Sequence, residues 1–127
     1  MLYLYLLGRI LLGGYFIGEG IKHFRHLSSY TGYAASKHVP MPREAVMLTG
    51  AMLIVGGLGV LLGVWIEFAV FLLSLFLVII SFKMHDYWNM PPESRPAEEI
   101  NFKKNLGLLG AVLMLLAIPT PWILSLF

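Results

Sequence analysis

This sequence predicts an all-α fold, an integral-membrane four-helix bundle with both termini on one side, and three observations lead there. Long stretches carry no charge, the ends of those stretches carry nearly all of it, and glycines recur inside them at helical spacing. Ala45 to Ile66 and Phe68 to Phe82 contain no charged residue, and only Glu67 separates them. About 20 apolar residues at ~1.5 Å rise match a hydrocarbon core of roughly 30 Å. Backbone in lipid must satisfy its own hydrogen bonds, so stretches this long cross as helices. The expected spans are 2–21, 44–63, 66–84 and 98–126, in one domain of residues 1–127.

The first span begins at Leu2. No basic segment precedes it and no small-x-small cleavage site follows, so it is expected to stay as a helix rather than leave as a signal peptide. Beyond it, Leu27, Tyr30 and Ala34 recur at helical spacing, which predicts a short surface helix capped by Ser28 or Ser29 and ending near Lys37. Pro40 and Pro42 end that helix and start the next span. Gly63 is the expected turn between the second and third spans, because glycine accepts the left-handed conformation. Pro91, Pro92 and Pro96 predict extended chain, with Glu98 and Glu99 at the positive end of the fourth helix. Pro119 and Pro121 must kink or stop that helix. If it stops at Ile118, it must begin near Ala97 to cross.

Gly14 with Gly18 and Gly59 with Gly63 form G-x-x-x-G pairs, with Gly56, Gly57, Gly107 and Gly110 nearby. Small residues let helices approach closely in lipid, so these are expected at contacts inside the bundle, or at the seam of a homo-oligomer. Lys22, Arg25, Lys37, Arg43, Lys83, Arg95, Lys103 and Lys104 all fall on the side of the two long loops. The positive-inside rule then makes those loops cytoplasmic and the termini external. Tyr3, Tyr5, Trp65 and Trp122 mark the outer interface, and Phe24, Tyr87, Trp88 and Phe102 the inner one. The formal charge of +2 resides at helix flanks, where orientation requires it, and no nucleic-acid role follows. The chain has no cysteine, so any redox role needs a bound cofactor, a metal on N and O ligands, or a partner.

Polar residues inside spans are where chemistry can reside, since each costs about 2.5 to 3.5 kcal/mol at mid-bilayer if unpaired. Arg9, about 10 Å from the outer end of its helix, can snorkel outward, pair with Glu67 at the same level, or serve a functional site. Glu19, His23 and His26 share one helical face at the inner end. Glu19 can pair with Lys22 or His23. Two histidines and a carboxylate can also ligate a divalent metal, although the spacing matches no established motif. A proton-handling or headgroup-binding site uses the same imidazole chemistry. His38, His85 and Asp86 lie on this side too.

Several motifs follow one another in a familiar order. They are Arg9 through Gly20-Ile21-Lys22-His23, then Tyr33 through Lys37-His38-Val39-Pro40 with Pro42, and a glycine-rich helix from Gly50 to Gly63. Phe82-Lys83-Met84-His85 and Phe102-Lys103-Lys104-Asn105 through Gly110 complete the series. Together these resemble the DoxX family of small four-helix bacterial membrane proteins, across nearly the whole chain. Two positions depart: His23 stands where the family usually has Lys, and His38 where it usually has Gly, at an expected left-handed helix stop. The resemblance implies association with terminal oxidases or with thiosulfate:quinone oxidation. It carries over Arg9, Gly20, His85 and Asn105 as candidates, joined by Glu19 and His23 from the helical face, for a quinone or lipid headgroup or for an oxidoreductase partner. His85 and Asn105 can share one headgroup or bond each other.

Three functions fit these residues: a redox-associated membrane subunit, a lipid-binding or transporter-like module, and a structural or assembly factor without catalysis. The middle of the helices offers only Thr49, Ser74 and glycines as polar or open positions, which argues against a conduction path.

Overall fold

Among the described residues four helices are long and apolar enough to cross a membrane, and their ends follow from particular residues. The structure is a computed structural model that describes residues 1–125. Its helices are α1 (Leu2–Arg25), α2 (Leu27–Ser36), α3 (Pro42–Leu62), α4 (Ile66–Met84) and α5 (Arg95–Met114), with no strand among the described residues. Short 3-10 turns cover Tyr87–Asn89 and Leu115–Ala117.

α1 breaks at His26 (φ −116°), and α2 starts one residue later with no side-chain cap. Ser28 and Ser29 therefore do not cap it; with one linking residue, the chain has no room for an N-cap serine ahead of the first turn. His38 (φ 61°) takes the expected left-handed stop, and Met41 (φ 47°) re-aims the chain so that Pro42 opens α3. Gly63 (φ 72°) ends α3, with the Val64 N–H donating to the Gly59 carbonyl at 3.0 Å.

The fourth crossing differs from expectation at both ends. Pro96 sits in the first turn of α5, where its fixed φ and missing N–H fit a helix start, so the prolines form a turn rather than an extended run. α5 ends at Met114, and Ile118 is extended ahead of Pro119. The helix of the expected span to 126 stops short, and residue 126 of that span lies outside those described.

α1 packs on α3, α3 on α4 and α4 on α5. The α1–α3 contact is made by backbone. A Cβ on Gly13 would stand 2.8 Å from the Gly57 carbonyl, and one on Gly20 would stand 2.7 Å from that of Gly50. Both helices thus place glycine two turns apart, in antiparallel register. Gly56 and Gly59, one turn apart, make room on the other side of α3 for the side chains of Leu73 and Ala69 of α4. Gly14 and Gly18, expected at contacts, meet nothing within 4 Å, and neither do Gly107 and Gly110. One residue is ~100° of helix rotation, and the packed face of α1 is the one through Gly13.

At the terminal end Arg9 is 4% exposed. Its Nε donates to the Val60 carbonyl (3.4 Å) and its Nη2 to that of Leu61 (3.1 Å), in the last turn of α3. Nη1 donates to Ile123 (2.6 Å) and Nη2 also to Leu124 (3.4 Å). The carbonyls of a helix end lack partners and carry the negative end of the macrodipole, so they suit a guanidinium. Arg9 neither snorkels nor pairs with Glu67, which is exposed and in no ion pair among the described residues. The guanidinium lies 5.5 Å from the ring centroids of both Tyr5 and Trp122. Trp122 is buried, so it closes the end of the core instead of marking the lipid interface.

Gly13→Ala and Gly20→Ala are expected to destabilise the bundle by about 1 to 3 kcal/mol through overpacking, whereas Gly14→Ala shifts stability by no more than about 0.5 kcal/mol. Thermal unfolding in mild detergent, followed by circular dichroism, compares them; equal losses at Gly13 and Gly14 would mean that α1 presents another face to α3. Arg9→Lys, with one ammonium in place of a fork that reaches two segments, is expected to free the tail. In a Trp65→Phe/Trp88→Phe background this shows as increased quenching of Trp122 fluorescence, and unchanged quenching would mean that the tail holds by apolar contact alone.

Candidate functional site

At the loop end, Gly20 against Gly50 brings α1 close enough to α3 for His23 to reach across. The His23 ring is 8% exposed, with Nδ1 3.1 Å from the Val46 carbonyl and 3.1 Å from Thr49 Oγ1. Tyr30 of α2 and Phe76 of α4 meet that ring edge-on, at centroid distances of 5.1 and 5.9 Å. The imidazole is thus held on three sides, and its Nε2 has no partner among the described residues.

Facing this assembly from α5 is Asn105. It is 7% exposed, yet its side-chain amide makes no hydrogen bond within the described chain. His23 and Asn105 both line a cavity of about 630 Å³, whose walls are mainly apolar and include Phe16, Leu53, Phe76 and Leu77. α5 packs on α4 and α1 on α3, and no packed interface joins α1 to α5. The lining includes exposed Tyr15 of α1, Tyr33 of α2, Lys83 of α4 and Lys104 of α5, so the cavity reaches the outside of the bundle. Nearer the termini, Leu12 and Phe16 of α1 fill the gap with Leu108, Leu109 and Val112 of α5.

Two polar pairs tie the elements together at this end, and His85 of one of them lines the cavity. His85 Nδ1 lies 2.5 Å from Glu98 Oε2, and Lys37 Nζ lies 2.5 Å from Asp86 Oδ1. Tyr33 donates to the Met84 carbonyl at 3.0 Å. Burial pushes the Tyr33 phenol up, with the Glu98 and Asp86 carboxylates adding to the effect, so it remains a proton donor well above neutral pH. Together these contacts pin α2 to the end of α4 and the start of α5.

Of the six residues singled out from sequence, Glu19, His23, His85 and Asn105 line this one cavity. Gly20 is a packing contact beside it, and Arg9 is at the opposite end of the bundle. His85 and Asn105 do not bond each other; the hydrogen bond of the His85 ring is from Nδ1 to the Glu98 carboxylate. Glu19 pairs with Lys22 (3.3 Å) and not with His23. His26 leaves the shared face, since α1 ends there, and stacks on Tyr30 instead. Among the described residues no group of three His, Cys, Asp or Glu side chains is placed to hold a metal ion. Sequence reasoning gave Thr49 no site role, although a hydroxyl inside an apolar run was a signal. It also gave none to Glu98, whose partner becomes clear only when α4 and α5 are side by side.

A family model for DoxX matches residues 4–86, from α1 through the end of α4. No curated protein and no solved structure matches the chain. Asn105 lies beyond the matched residues, while Arg9, Glu19, Gly20, His23 and His85 lie within them. With more than half of its length matched and four apolar helices in the expected order, this multi-pass membrane protein belongs to the DoxX family.

Proposed function

We propose that the loop-end cavity binds the headgroup of a membrane quinone, and that the protein serves as a redox-associated membrane subunit for an oxidoreductase partner. The observation that carries this reading is Asn105, a buried amide on the cavity wall with no partner in the protein. That amide is open to the cavity and can donate to, or accept from, a ligand that enters there. The cavity falls within the roughly 300 to 1,000 Å³ usual for small-molecule sites. Its aromatic edges at Tyr30 and Phe76 suit a planar ring, and the gap between α1 and α5 suits an isoprenoid tail lying toward lipid. A bound quinone supplies two-electron, two-proton chemistry. Since the chain has no cysteine, it has no dithiol to exchange those electrons, and the reading assigns them to a partner at the basic loop face. That face is cytoplasmic in this reading, and the membrane is the bacterial inner membrane.

Purification in mild detergent followed by mass spectrometry is expected to recover quinone with the wild-type protein. Asn105→Leu, which keeps the volume and removes the amide, should lower the recovered quinone at least about tenfold, as expected for a lost buried hydrogen bond. Equal recovery would point to an assembly factor instead. Cysteines placed at Ser36 and Ser94 should resist an impermeant thiol reagent in intact cells, and labelling of both would invert the orientation.

A further inference from the structure

Resting on the quinone reading above, we infer that the site is preset for the reduced form, the quinol, through the tautomer in which His23 is held. Two groups face Nδ1, and both offer lone pairs. The Val46 carbonyl, 3.1 Å away, can only accept. Thr49 has one hydroxyl proton, and its oxygen lies 2.9 Å from the Ala45 carbonyl one turn back, the usual partner of a threonine inside a helix. The Val46 carbonyl, at 3.1 Å from the same oxygen, is the alternative acceptor. With its proton on either carbonyl the oxygen presents lone pairs to the ring, and donating to Nδ1 instead would give up both backbone bonds and still leave the Val46 carbonyl against the ring lone pair. An unprotonated Nδ1 would then meet two acceptors, so in the neutral ring the proton sits on Nδ1.

The consequence lies on the other side of the imidazole. Nε2 carries a lone pair and has no partner among the described residues. A quinone oxygen approaching Nε2 brings lone pair against lone pair, while a quinol hydroxyl donates into it. The same argument disfavours a phosphodiester headgroup, whose oxygens only accept. Asn105 does not discriminate, because its amide both donates and accepts. His23 is therefore the specificity-determining residue, and Val46 and Thr49 position it.

The wild-type protein in detergent micelles tests the first half without any ligand. Nitrogen-15 resonances of the His23 ring at mildly alkaline pH are expected to show Nδ1 protonated and Nε2 bare, and a proton on Nε2 would overturn the inference. A short-chain quinol and its quinone, titrated anaerobically against intrinsic fluorescence, test the second half. The quinol is expected to bind at least about tenfold more tightly, the effect of one buried hydrogen bond against an unpaired acceptor. His23→Phe keeps a ring in place and should reduce that preference to within about twofold. Equal affinities, or tighter binding of the quinone to the wild type, would overturn the preference and leave the quinone site standing. Binding of neither form, with the tautomer as expected, would overturn the quinone site itself.

Discussion

The rest of the structure depends on the direct approach of two backbones, α1 against α3, at Gly13 with Gly57 and at Gly20 with Gly50. Lipid tails are as apolar as leucine, so helices gain little from hiding apolar surface against each other and must gain from close contact. Two such contacts, two turns apart, fix both the rotation and the register of the pair. Once α1 is seated, Arg9 comes within reach of the last carbonyls of α3, and His23 comes within reach of its first turns. Because α5 packs on α4, it meets α1 only through core side chains nearer the termini, and the loop end of that flank is left open. The cavity is what this asymmetry leaves.

Arg9 at the terminal end and His23 with Asn105 at the loop end are held in opposite ways, although the Tyr5 hydroxyl and the Trp122 Nε1 beside Arg9 are themselves buried without a hydrogen bond. At the terminal end the guanidinium is surrounded by four carbonyls and two rings, an arrangement that occupies most of its N–H donors and holds the tail. At the loop end His23 is gripped through one nitrogen only, and Asn105 through none. A satisfied network rigidifies, whereas a partly satisfied one marks a place where another molecule can complete it. Burial alone would not separate Arg9 from Asn105, since both are more than nine-tenths buried. Their partners separate them.

Much of the architecture was legible because it rests on one-dimensional signals. Runs without charge gave the crossings, Gly63 and His38 the left-handed stops, and Pro42 a helix start. What could not be read was rotation. Gly13 and Gly14 are neighbours with the same side chain, and only the partner helix decides which of them touches it. Trp122 looked interfacial for the same reason, since an aromatic near a helix end can face lipid or fold back over the core. The site was half legible. The helical face of Glu19 and His23 placed them together, but the pairing of His85 with Glu98 and the isolation of Asn105 depend on how α4 and α5 lie together.

Arg9 also bears on the order in which the molecule can be made. Its shortest hydrogen bond joins residues 114 apart in sequence, so during synthesis the first helix exists long before the tail carbonyls that receive its charge. Val60 and Leu61 come earlier, with the second crossing. A lone first helix bears an unpaired cation in lipid, at a cost of about 2.5 to 3.5 kcal/mol at mid-bilayer. The hairpin of α1 and α3 brings both the glycine contacts and two of the four carbonyls. It is the earliest piece of chain in which that charge has somewhere to go, which makes the hairpin, rather than the single helix, the natural unit of insertion.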